Sequence, residues 1–488
     1  MTTVPDDIQR IYQASDALAL SDLVKRKEVQ PSELMEAAIA LAEQFNPKIN
    51  AIVSTDYEGA RCQAARSENS GLFAGVPYLA KNDSDVAGLR ATYGSRFFYR
   101  YARPATDDSE VIRRVRKSGM IPFGLTNSPE IGYASTTEPK LYGPTRNPWN
   151  LAYSSGGSSG GAAAAVAARI VPIAGGGDGG GSIRNPASAC GLVGLKPSRG
   201  RIPTRPKIDS WHGCSVKACV SRTVRDTAAY LDAVSGPCVG DPYTPSAPKT
   251  SFLESSLQDP KRLRVGVATS LPCASPFHAE VTKAIAHTAR LLEKLGHDVE
   301  LYDFRFDYES PWRSRARISA VEAALFFQRA EERFRVSLAD DDVEPQIRTL
   351  IEKGKIIDGV THAADIDIIR RAGADVAADL DQFDVFLSPV LSQPTLRVGE
   401  SPNTVLEDPS KWLATMAFMS LANMSGLPAI ALPVQQSEHG LPLGIQLTAR
   451  YGDETTLLQI ANALEKQIGW DLRRPPILDD AELKTCLD

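Results

Sequence analysis

Apolar residues recur at helical spacing over residues 18–45, with a break at Gln30-Pro31 where Pro31, Ser32 and Glu33 suit the first turn of a second helix. Short apolar runs at residues 49–54, 75–80 and 120–125 read as strands, separated by a charged helix over 109–118. An alanine-rich helix over 160–169 then leads into a further strand at 170–174. The alternation resumes with a strand at 263–268, an amphipathic helix over 279–295 and a strand from Val299. Strands return at 385–387, 429–434 and 443–448, before a helix over 454–468. A helix-rich block spanning 305–380, charged and poor in strand signals after Trp312, interrupts the alternation and is expected to cover the site.

Alternating helices and strands predict a layered α/β fold, and residues 1–488 read as one domain. The composition, 43% hydrophobic and 23% charged over 488 residues, suffices for a sizeable core. A net charge of −5 with a pI near 5.8 leaves no basic footprint for nucleic acid, so the expected partner is a small molecule. No apolar window approaches the length of a membrane span and the N-terminus lacks a signal-peptide pattern, so a cytoplasmic chain with no membrane partner is expected. Seven scattered cysteines without CxxC spacing, and six dispersed histidines without HExxH, give no metal site.

The densest chemistry lies in IAGGGDGGGSIRNPAS, residues 173–188, where six glycines surround Asp178 and precede Ser182. Glycine is costly to order, so such a run between a strand and a helix start, here with Asn185 as cap and Pro186 as first helical residue, points to close backbone approach. A second cluster, SSGGSSGG at 154–161, opens the alanine helix, and a returning strand can bring Ser158 and Ser182 to one end of a sheet. Lys81 closes the apolar run GVPYLAKND, where its ammonium is short of solvent. A serine hydroxyl is a weak nucleophile until a base takes its proton, and a lysine can be that base only when burial keeps it neutral. Unhindered backbone amides from Gly179, Gly180, Gly181 and Ser182 can then stabilise an oxyanion.

Residues 156–187 together with GVPYLAKND resemble the consensus of the amidase signature family, and the likeness extends through TNSPEIGYASTTEP, TRNPWN, GLVGLKPSRGRIP and NMSGLPAIALPV. The resemblance implies an α/β/α fold with a central mixed β-sheet covered by helices, and no cofactor. It implies a Ser-cisSer-Lys triad of Ser182 as nucleophile, Ser158 as bridge after a cis bond from Gly157, and Lys81 as base. By the same resemblance the oxyanion hole lies at residues 179–182, with Gly157, Asp178 and Arg184 supporting it and Asn127 and Ser159 binding substrate. The sequence departs from the family pattern at Asn82, Ser155, Gly177 and Gly179, where Asp, Pro and two Thr are more usual. TTEP, TRNPWN and GGGD are most similar to the branch of 6-aminohexanoate cyclic dimer hydrolase-like, aryl amidase and urethanase-like enzymes.

The resemblance therefore implies a hydrolase of small linear, cyclic or aryl amides, working with water as a monomer or homodimer. Carbamate or ester hydrolysis by the same triad, a glutamine-amidotransferase A-type subunit and a non-catalytic binding module are the alternatives. Taken singly, Lys81 also reads as a strand-end lysine reaching solvent, Ser158 and Ser182 as helix caps and Asp178 as a turn residue. Residues 175–180 fit G-x-G-x-x-G but lack the acidic partner of a dinucleotide site. Residues 156–160 fit G-x-S-x-G, which would make Ser158 the nucleophile with a late histidine such as His439. Substrate choice is expected from residues 127–138 and the helices after Trp312.

Overall fold

The computed structural model describes residues 5–270, 276–303, 309–400 and 409–479. Its strands in chain order are β1 Ile52–Thr55, β2 Pro77–Lys81, β3 Ile121–Thr126, β4 Arg146–Asn147, β5 Asn150–Ser154, β6 Ile173–Asp178 and β7 Val193–Lys196. They continue as β8 Val216–Ser221, β9 Arg264–Ala268, β10 Asp298–Tyr302, β11 Val385–Pro389, β12 Ala429–Gln436 and β13 Pro442–Ala449. Eleven of them form one mixed sheet in the order β1-β3-β2-β6-β8-β7-β12-β13-β11-β9-β10, while β4 and β5 make a separate hairpin. Helices cover the sheet, as the resemblance implied.

The strands that read as unbroken apolar runs are those with no exposed face: β2, β3, β6 and β11 are buried at every position. At the sheet edge β10 has no buried residue. The helix Pro31–Ile49 begins where the sequence placed it, with Pro31 in the first turn and a Gln30–Glu33 capping box. The alanine helix, Gly160–Ala167, is buried along its whole length, which its small side chains permit. It lies against β6, β8 and the helix Pro31–Ile49.

Several expectations are corrected. The glycine run is not a turn after a strand at 170–174: Gly175, Gly176 and Gly177 lie inside β6. There the missing side chain of Gly175 leaves room for the Tyr78 hydroxyl. Asn185 does not cap the next helix, which runs Arg184–Cys190 after Ile183. Asn185 lies inside the first turn and its side chain donates instead to the carbonyls of Ser135 and Gly157, at 2.8 and 3.1 Å. The strands β7 and β8 were not foreseen, because they are short and β8 carries Lys217 within an otherwise apolar run.

Of the 305–380 block, residues 305–308 lie outside the described residues, and the remainder is mainly helical: Glu309–Phe334, Pro345–Lys355 and Gly359–Leu380. The last of these packs on Pro409–Ser425. The main core cluster follows the sheet, and two satellites lie under these helices around Phe386 with Phe418 and around Phe97 with Phe327.

Strands β2 and β6 run parallel, with Leu79 opposite Ala174. Their C-terminal residues Lys81 and Asp178 therefore emerge at one edge, the side of an open α/β sheet where ligands bind.

Candidate active site

Lys81 is the last residue of β2 and is only 3% exposed. Its Nζ donates to Ser158 Oγ at 2.7 Å. Burial pulls the lysine down to about 8, the nearby Asp83 carboxylate opposes that shift, and Lys217 reinforces it. Ser158 follows a cis peptide bond from Gly157 and is itself buried. A side chain at Gly157 would meet the backbone of Ser135 and Thr136 at 2.8 Å, so the cluster needs glycine there.

Asn82 turns away from the site. Its amide exchanges two hydrogen bonds with Thr92, at 2.7 and 2.9 Å. The acidic partner of Lys81 is Asp83, one residue later, with Oδ2 at 3.7 Å from Nζ. Asp83 is in turn bonded by Lys217 Nζ at 2.6 Å. Burial disfavours the ionised Asp83, yet Lys217 and Lys81 together hold it well below the usual carboxylate range. Lys217 is the register partner of Gly177 across β8 and β6. Both Lys217 and Asp83 lie close to that point of β6, about where a Cβ at Gly177 would make ordinary contact with them.

Ser182 stands just beyond β6 and is partly exposed. Its carbonyl accepts from Ser159 N at 3.1 Å, which ties the two serine-bearing segments together. Its hydroxyl has no hydrogen bond among the described residues. The preceding loop is organised by Asp178, whose carboxylate accepts from Gly181 N at 2.7 Å and Ile183 N at 3.2 Å. Arg184 grips the same carboxylate with two bonds of 2.9 and 3.0 Å, both residues being fully buried. Burial raises the cost of charge on Asp178, and the Arg184 guanidinium more than compensates, holding it well below the usual carboxylate range. Arg184 also donates to Met419 O, Gln446 Oε1 and Asn423 Oδ1, anchoring the loop to the C-terminal third of the chain.

One sequence expectation changes here. The Gly181 amide is taken by Asp178, which removes it from the set of free oxyanion donors. The amides of Gly179, Gly180 and Ser182 have no partner among the described residues. Asn127 is fully buried and donates to Gly143 O at 3.1 Å and Thr145 Oγ1 at 3.0 Å, while its Oδ1 has no hydrogen-bond partner. Ser159 is likewise buried, its hydroxyl lying 3.3 Å from both the carbonyl and the amide of Gly177. The elbow alternative does not match, since Ser158 faces Lys81 while His439 is exposed in the β12–β13 turn.

Residues that sequence reasoning missed complete the surroundings. Gly132 approaches so closely that an added Cβ would lie 3.3 Å from Ser158 Oγ and 3.9 Å from Lys81 Nζ. Arg315, from the helix Glu309–Phe334, donates to the Gly179 carbonyl. Trp211, in the loop SWHGC, has a left-handed backbone with φ 53° and stands beside Gly179. Only Asp83 left a signal, as a carboxylate two positions after Lys81. No group of three metal-ligating side chains occurs among the described residues, and no helix there is long and apolar enough to cross a membrane.

Comparison with known proteins identifies the family. The profile of the family described as Amidase matches residues 33–458. The 6-aminohexanoate-cyclic-dimer hydrolase of Paenarthrobacter ureafaciens is 37% identical over 488 residues, covering 95% of this chain and 97% of that one. A structure of 6-aminohexanoate cyclic dimer hydrolase complexed with substrate superposes with a TM-score of 0.90 at 36% identity, over 96% of this chain and 99% of that one. A bacterial aryl acylamidase of the amidase signature family superposes with a TM-score of 0.84 at 28% identity, over 94% and 99%.

Proposed function

The chain belongs to the amidase signature family, hydrolases acting on carbon–nitrogen bonds, and on that premise we propose that it hydrolyses small linear, cyclic or aryl amides through an acyl-enzyme on Ser182, with Ser158 relaying protons to and from Lys81. The observation that carries this reading is the buried contact of 2.7 Å between Lys81 Nζ and Ser158 Oγ, beside a loop with open backbone amides. The similarity to a cyclic-amide hydrolase and an aryl acylamidase supports amides as the substrate class.

A lysine lowered to about 8 is neutral in about a tenth of molecules at pH 7, against roughly one in 2,500 for an ordinary lysine. In the reacting state the Lys81–Ser158 hydrogen bond reverses, the neutral amine accepting the Ser158 proton. Ser158 then accepts the proton of Ser182, whose hydroxyl, free of other partners, turns toward it. Ser182 Oγ bonds to the amide carbon and the carbonyl electron pair moves onto oxygen. The amides of Gly179, Gly180 and Ser182 meet that oxyanion, and each such donor is worth about 3 kcal/mol of barrier. The proton returns through Ser158 to the nitrogen, the C–N bond breaks, and water repeats the relay to release the acid.

Reaction with a serine-directed fluorophosphonate, followed by peptide mass spectrometry, tests the assignment. The expected adduct is on Ser182. An adduct on Ser158, or undiminished amide turnover by Ser182→Ala, overturns it.

A further inference from the structure

Arg315 touches the Ser182 loop, and the proposed chemistry does not use its charge. It is 5% exposed. One nitrogen, Nη2, donates to the Gly179 carbonyl, and a side chain at Gly180 would collide with the same group. The Gly179–Gly180 peptide is trans, so holding its carbonyl toward Arg315 directs the Gly180 amide to the opposite side. Arg315 thus fixes one of the open amides of the loop while its own second nitrogen, Nη1, is buried without any hydrogen-bond partner.

The charge is unmatched as well. Among the described residues Arg315 forms no ion pair; Glu322, two turns further along the same helix, lies 3.5 Å from His212 and makes no ion pair with Arg315. The guanidinium lies 6.0 Å from the Trp312 ring, and Trp211 stands beside Gly179. The positive charge also reaches the Tyr133 hydroxyl. A buried, planar cation with a free N–H edge and no counter-ion is chemically incomplete, and a planar oxyanion fits its fork geometry.

We propose that Arg315 is a substrate-recognition residue and that the amide turned over here carries a carboxylate, which the free Nη1 edge takes up beside the Ser182 loop. This rests on the amidase reading above and names the substrate class for the same site.

The test compares matched anilides in two series. On the acyl side they are succinyl, succinamoyl and butyryl p-nitroanilide; on the amine side they are the acetyl derivatives of 4-aminobenzoate, 4-aminobenzamide and p-toluidine. The carboxylate member of at least one series is expected to have the highest kcat/KM. In Arg315→Gln its kcat/KM is expected to fall about 10- to 100-fold more than that of its carboxamide partner, the loss typical of a charge-assisted bond. Arg315→Lys, which keeps the charge, should recover part of the preference and guards against a folding defect. Equal loss on all members of a series, or no carboxylate preference in either, overturns the inference. Calorimetric titration of Ser182→Ala protein with succinanilic acid and its amide gives a readout independent of turnover. There the acid should bind more tightly by a similar factor, and equal binding overturns the inference. Failure of every anilide to turn over while the acid still binds preferentially overturns the amidase reading and leaves the recognition residue standing.

Discussion

Asp83 and Lys217 form an ion pair of 2.6 Å at the end of β2, and the second oxygen of Asp83 lies 3.7 Å from Lys81. A carboxylate next to a base lysine would by itself keep that lysine charged. Sharing the carboxylate with a second lysine weakens this effect, and Lys217 also repels the Lys81 proton directly.

Lys217→Met is therefore expected to raise the Lys81 pKa from about 8. Because the neutral amine is the active form, the rising limb of the kcat/KM profile should move to higher pH and activity at pH 7 should fall several-fold. A pH–rate profile of the variant checks this, and an unmoved limb would count against Lys81 as the base.

Lys81→Met separates stability from function. The unfolded chain binds the lysine proton up to about pH 10.5, whereas the folded chain releases it near 8. The folding penalty is present in full below pH 8 and disappears as pH rises to 10.5. At pH 7 it amounts to about 3 kcal/mol, set against about 1 kcal/mol from the lost Ser158 hydrogen bond. The variant should be more stable than the parent at pH 7, with the advantage gone at pH 10.5, and its amide turnover should fall by orders of magnitude. Urea unfolding at the two pH values reads the first effect and steady-state kinetics the second.

Asp178→Asn removes one partner of a fully buried ion pair and leaves Arg184 without its counter-ion. The expected cost is about 3–5 kcal/mol. It also loosens the Gly181 and Ile183 amides that the carboxylate holds, so kcat should fall further than in a mere surface variant of equal stability. Thermal unfolding together with kcat on one anilide checks both.

Gly157→Ala forces a methyl to within 2.8 Å of the Ser135 and Thr136 backbone. A destabilisation of about 1–3 kcal/mol is expected from overpacking. Since the displaced residue precedes Ser158, kcat should drop while KM changes little.

Much of this was readable from the chain because local patterns report local burial. The helix at Glu454–Ile468 and the capped start at Pro31 matched, since periodicity and capping residues act within a few positions. Lys81, Ser158 and Ser182 stood out through residue type and through segments resembling a known family. The pairing of β2 with β6 that gathers their segments followed from no periodicity.

What the sequence determined by itself was the alternation of elements, the apolar strands β2, β3, β6 and β11 of the central sheet, and the residue types gathered near its edge. Tertiary structure alone decided which of them meet. It gave the Gly181 amide to Asp178 and set Asp83 rather than Asn82 against Lys81. It also brought Lys217 to Asp83 across 134 residues and Arg315 to Gly179 across 136. The reason is physical: a residue's neighbours along the chain fix its helix or strand, whereas its charge partners depend on strand order and helix packing, which no local pattern encodes.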